Sequence, residues 1–89
     1  MRVKIALFAT LREKFGVKEI EVECEDFESA IANASKILGE DFYYEVFNEK
    51  GEIRDDRIIT INGRNVKDIE KIELKDGDRI AIFPPIAGG

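Results

Sequence analysis

The sequence predicts an α+β fold, a mixed β-sheet of about four to five strands packed on one main α-helix. Three observations predict it. Segments near both ends alternate apolar and polar residues with a period of two, as half-buried strands do. Between them, Phe27, Ala30, Ile31, Ala34, Ile37 and Leu38 recur at helical spacing and form one apolar stripe. Asn62-Gly63 follows a β-branched run, the mark of a tight hairpin.

In residues 2–9, Val3, Ile5 and Leu7 fall on one strand face and Lys4, Ala6 and Phe8 on the other. Thr10 to Gly16 reads as one helical turn, capped by Thr10 and closed by Gly16. Residues 17–24 alternate again, with Ile20 and Val22 inward and Glu19, Glu21 and Glu23 outward, and return along the first strand as a hairpin. Asp26 is placed to cap the main helix, Glu28 suits its positive end, and Gly39 stops it. Residues 40–50, carrying Phe42, Tyr43, Val46 and Phe47, are expected to form a second short helix ended by Gly51. Ile58 to Ile61 is the next strand, with a brief return over Arg64-Asn65-Val66. A single turn over Asp68 to Ile72 and a tight turn at Lys75-Asp76-Gly77-Asp78 precede the last strand, Arg79 to Phe83. Pro84-Pro85 ends that strand, because proline cannot donate to a ladder.

The helical stripe should cover the face built from Val3, Ile5, Leu7, Ile20, Val22, Ile59, Ile61, Ile80 and Ile82. The opposite face should be solvated, yet it carries Ala6, Phe8, Ala81 and Phe83. If the first and last strands are neighbours, Phe8 and Phe83 share a patch, and clustered exposed aromatics mark partner sites. Arg12 is then either a salt-bridging surface residue or a polar anchor for a partner beside Phe8.

Composition narrows the function. The 89 residues suffice for one domain, 1–89, with 84–89 as a flexible C-terminal tail. No apolar run approaches the roughly 18 to 20 residues of a membrane span, and no signal-peptide pattern opens the chain. A single cysteine, Cys24, excludes an internal disulfide and fits a reducing cytoplasm. Its alternation makes it a small core residue rather than a nucleophile, and Glu23 and Glu25 flank it. Histidine is absent, removing the usual proton shuttle and the commonest metal ligand. The net charge is −5: residues 1–53 hold 7 basic and 12 acidic side chains, and residues 54–89 hold 7 of each. An acidic chain without a basic run argues against nucleic acid as a partner. Asp55-Asp56 and Asp76 with Asp78 read as turn formers rather than catalytic pairs, and no phosphate loop, metal cluster or nucleophile triad is present. The chain is not expected to be an enzyme alone, nor to bind a metal or cofactor.

What remains is the ending, Pro84-Pro85-Ile86-Ala87-Gly88-Gly89, with no charged side chain after Arg79. Two glycines allow close approach and unusual dihedrals inside another protein's site. Two prolines keep the approach extended and lower the entropy cost of insertion. The carboxylate of Gly89 is the expected reactive group, and its activation requires a mixed anhydride such as an acyl-adenylate.

Phe8-Ala9-Thr10-Leu11-Arg12-Glu13, Ile61-Asn62-Gly63-Arg64, Lys75-Asp76-Gly77-Asp78 and Ala81-Ile82-Phe83-Pro84-Pro85-Ile86-Ala87-Gly88-Gly89 together resemble the MoaD-like small subunits of molybdopterin synthase, within the ThiS/MoaD sulfur carriers. The resemblance implies a β-grasp, ubiquitin-like fold. It implies that an E1-like adenylyltransferase (MoeB-like) uses ATP to adenylate Gly89, and that a sulfur donor converts the adenylate to a thiocarboxylate. The tail then enters the large synthase subunit (MoaE-like) and delivers sulfur for molybdopterin. By this analogy Gly88 clears the tunnel, while Phe8, Phe83, Ala81, Arg12 and the stretch Pro84 to Ala87 dock. Archaeal ubiquitin-like modifiers share the body and tail, with conjugation to lysine as the alternative, and carriers for thiamine or tRNA thiolation share the chemistry.

Overall fold

The alternating segments from the two ends of the chain pair with each other. In the computed structural model, which describes residues 1–85, β1 (Arg2–Leu7) and β5 (Arg79–Phe83) run parallel at the centre of the sheet. Their register sets Lys4 beside Arg79, Ala6 beside Ala81 and Leu7 beside Ile82. β2 (Glu19–Glu23) flanks β1 antiparallel, and β3 (Ile58–Ile61) flanks β5 antiparallel with β4 (Arg64–Asn65) outside it. Among the described residues the order is β2-β1-β5-β3-β4. This is the mixed, α+β sheet that the patterning predicts.

One face is covered by α2 (Phe27–Leu38), which buries Phe27, Ala30, Ile31 and Ala34. They meet Val3, Ile5, Leu7, Val22, Ile59, Ile61, Ile80 and Ile82, all buried, with Ile20 half-buried at the edge. Burying each large aliphatic side chain contributes roughly 1.5–3 kcal/mol, against about 0–1 kcal/mol for an exposed ion pair. The core therefore holds sheet to helix, although 37 % of the residues are charged. The entry to α2 is a capping box: Asp26 accepts from the Ser29 N–H at 2.8 Å, and the Ser29 hydroxyl accepts from the Asp26 N–H at 3.0 Å.

Several expectations need correction. Thr10 lies inside α1 (Thr10–Phe15), and the cap position falls to Ala9, which makes no side-chain cap bond. Gly16, left-handed at φ 73°, does close that helix. Ile37 is 62 % exposed rather than part of the buried stripe. At 100° per residue it sits well to one side of the line through Ile31, Ala34 and Leu38. The second short helix, α3 (Glu40–Val46), stops before Gly51. The Asn48 side chain accepts from the N–H groups of Lys50 and Glu52 at 2.9 and 3.0 Å, offering the backbone a turn in place of another helical step. Gly51, at φ 80°, belongs to that turn, which brings Phe47 across from Ile53. The single turn expected at Asp68 to Ile72 forms earlier, as a 3₁₀ turn over Val66–Asp68, because the Asn65 side chain caps it from the Lys67 N–H.

Candidate functional site

The face of the sheet away from α2 is graded along the strands. Near the start of β1 it is charged: Arg2 reaches Glu23 at 3.0 Å and Glu21 at 3.7 Å, and Arg79 reaches Glu19 at 3.8 Å. These pairs are exposed and each contributes little stability. Toward the ends of β1 and β5 the face turns apolar. The parallel register that aligns Leu7 with Ile82 continues for one more residue, since the Phe8 N–H donates to the Ile82 carbonyl at 3.2 Å. Phe8 and Phe83 consequently meet on the same face. Their rings stack with centroids 4.4 Å apart and planes 13° apart, both half-buried. Such pairs are worth about 0.5–1.5 kcal/mol beyond burial.

Arg12 joins this pair. α1 folds back after Ala9 so that the Arg12 guanidinium carbon lies 4.7 Å from the Phe8 ring centroid, while its Nε donates to the Leu7 carbonyl. Of the two roles open to Arg12, salt bridging finds no acidic partner among the described residues. A guanidinium held over an aromatic face is the arrangement found instead. Arg79 lies farther off, 5.9 Å from the same ring. Ala6 and Ala81 do not form the expected solvated surface. In the row Glu19, Ala6, Ala81, Thr60 the two methyls lie between longer side chains, leaving Ala6 fully buried and Ala81 8 % exposed. Ala81 is thus a floor beneath the patch rather than an open contact. Pro84 is half-buried and Pro85 exposed where the chain leaves β5 beside the aromatic pair. Ile86, Ala87, Gly88 and Gly89, the remaining predicted tail residues, lie outside the described residues.

No cluster of three metal-ligating side chains occurs among the described residues. Cys24 is buried, and burial pushes its thiol above the ordinary value while the N-terminal ammonium pulls it partly back. Such burial disfavours the thiolate, the nucleophilic form. A cleft of about 820 Å³ opens among Tyr44, Phe47, Glu49, Glu52, Ile53 and Asp55, and none of the predicted docking residues lines it.

Sequence reasoning passed over two residues that fix the segments around the patch. Glu45 of α3 is buried and accepts from Lys14 of α1 at 2.8 Å and from Arg57, just before β3, at 3.0 and 3.1 Å. Burial raises its carboxyl, but hydrogen bonds and charge from Lys14 and Arg57 outweigh this and hold it below the usual carboxylate range. Because β3 begins at Ile58, opposite Phe83, Glu45 ties together the two segments that frame the aromatic pair. Its place at the flank of the Phe42 and Val46 stripe was the available signal. The other residue is Ala9, whose backbone stands at φ 52° and ψ −130°.

The family model described as the ThiS family matches residues 5–89. A "Molybdopterin synthase sulfur carrier subunit" of Aedes aegypti is 38 % identical over all of this chain and 90 % of its own. "Small archaeal modifier protein 3" of Haloferax volcanii is 30 % identical over the full length of both. Among solved structures, that of small archaeal modifier protein 1 from Methanosarcina acetivorans superposes with a TM-score of 0.80 at 34 % identity, covering 99 % of this chain and 96 % of that one. Fold and full-length likeness agree: the chain belongs to the ThiS family of ubiquitin-like sulfur carriers, alongside the molybdopterin synthase sulfur carrier subunits.

Proposed function

We propose that this protein carries sulfur as a thiocarboxylate on Gly89 and delivers it for molybdopterin synthesis. The observation that carries the reading is the reach of the family match, which runs through residue 89 and so takes in Gly88-Gly89. A MoeB-like adenylyltransferase consumes ATP to convert the Gly89 carboxylate to an acyl-adenylate, releasing pyrophosphate. A sulfur donor then displaces AMP, and the thiocarboxylate enters a MoaE-like large subunit. The chain contributes no catalytic side chain and holds no cofactor of its own; it acts in the cytoplasm as one subunit of the synthase.

The body supplies the docking base. Phe8 and Phe83 offer an apolar stack, Ala81 the floor beneath it, and Arg12 a cation at its margin. Pro84 to Ala87 lead from that base into the partner, and Gly88 gives the terminal residue room. Enrichment of aromatic and arginine side chains at the centre of an interface is what binding hot spots require.

Intact mass decides the matter. After incubation with ATP, its own activating enzyme and a sulfur source, the chain should exchange one oxygen for sulfur at its C-terminus. An unchanged mass with that enzyme overturns the carrier reading. Likeness to two archaeal modifiers favours a second use of the same activated glycine, conjugation to lysine. Lysines of other cellular proteins carrying the Ile80–Gly89 remnant that tryptic cleavage after Arg79 leaves would establish it.

A further inference from the structure

Among the described residues a positive φ is almost always taken by glycine: Gly16, Gly39, Gly51, Gly63 and Gly77. The exceptions are Asn62 and Ala9. Asn62, at φ 51°, opens the two-residue hairpin turn where asparagine is favoured, and its side chain bonds Asp78 and the Arg79 N–H at 2.9 Å each. Ala9 has no such reason. At φ 52° and ψ −130° it occupies a region that glycine enters freely and that a residue with a β-carbon enters only under strain. Its side chain is exposed, so it fills no core, and it gives α1 no side-chain cap bond. A chain that spends glycine on five such positions keeps a methyl here, against its own stability.

The reason lies in what the turn carries. Phe8 precedes Ala9, and its carbonyl accepts from the Leu11 N–H at 3.1 Å; the Ala9 carbonyl accepts from the Arg12 N–H at 3.0 Å. The turn thereby fixes where α1 departs and where the Arg12 guanidinium lies over Phe8. Glycine would open many backbone conformations at this point, and the two side chains would wander with it. A β-carbon held by those two hydrogen bonds leaves one narrow well. We propose that Ala9 is a positioning residue, whose strained backbone pre-organises Phe8 and Arg12 for the partner that receives the tail. This rests on the docking role proposed above for Phe8 and Phe83.

The test compares the full chain with Ala9→Gly, with the D-alanine epimer at position 9 made by chemical synthesis, and with Phe8→Ala. Each is melted thermally and titrated calorimetrically with the MoaE-like large subunit. Ala9→Gly should melt roughly 4 °C or more higher, yet bind about two- to tenfold more weakly. The D-alanine chain finds φ 52°, ψ −130° to be the mirror of an ordinary extended conformation. It should melt higher still and bind as well as the parent. A residue with a merely structural role would move stability and binding in the same direction. A lower melting temperature for Ala9→Gly would remove the strain premise. Binding by the D-alanine chain as weak as that of Ala9→Gly would make the methyl a contact rather than a restraint, overturning the proposal. If Phe8→Ala weakens binding and Ala9→Gly does not, the proposal alone fails. If Phe8→Ala binds like the parent, the docking role fails and the proposal with it.

Discussion

Glu45 shows how a single side chain is fixed by opposing terms. Burial in a nearly dry site disfavours its charge, while Lys14 and the two-pronged Arg57 favour it more strongly. Replacing it by glutamine leaves Arg57, itself 10 % exposed, with only Asp56, at 3.0 Å, as counter-charge among the described residues. Glu45→Gln should cost about 3 kcal/mol of stability in urea unfolding at neutral pH. The pH dependence has a definite sign. With a folded-state pKa below the unfolded value of about 4.3, the carboxylate's contribution is complete above that pH. It is lost as pH falls through the folded value. Unfolding measured from pH 6 downward should therefore show a weaker acid dependence in Glu45→Gln than in the parent, and equal slopes would show that this carboxylate is not the linked group. Local patterning places Glu45 at the flank of the Phe42 and Val46 stripe but does not reveal its two partners, which lie 31 and 12 residues away in sequence. Phe8 and Phe83 were easier to read, since period-two alternation alone puts both on the face away from the helix.

Elements with a self-contained signal were legible, and those decided by competition were not. The Asp26 cap of α2 and the Asn62-Gly63 hairpin rest on contacts between near neighbours, and the last strand at Arg79–Phe83 announces itself by alternation ended at Pro84-Pro85. Helix α3 ends where Asn48 draws two N–H groups into a turn, and a helical pattern through Phe47 could not reveal that. The N-terminus of α1 misled in another way. Thr10 is a good capping residue, but the strained turn at Ala9 takes the cap position first. For α2 the capping argument is quantitative: Asp26→Ala should lower stability by about 1 kcal/mol in urea unfolding, with the helix retained by circular dichroism. A loss of several kcal/mol would mean that Asp26 does more than cap.

At the scale of the molecule, the expectation to test is that body and tail are separable. The buried cluster runs from Val3 to Ile82 and is closed before Pro84. Removing Gly88 and Gly89 should leave the melting temperature unchanged while abolishing thiocarboxylate formation. A truncation that unfolded the body would end the view of the tail as an appendage. The gradation of the outer face also belongs to this scale. It arises because β1 and β5, from opposite ends of the sequence, are parallel neighbours, a pairing that alternation made plausible but could not establish.

That pairing orders the birth of the protein. During synthesis β1 emerges first and β5 last among the strands, and β5 stands between β1 and β3. Before Arg79 to Phe83 are made, the chain can form only two separate ribbons, β1 with β2 and β3 with β4, which share no hydrogen bonds. A chain that ends before Arg79 therefore lacks the strand that joins the two ribbons into one sheet, and it leaves Phe8 without its stacking partner.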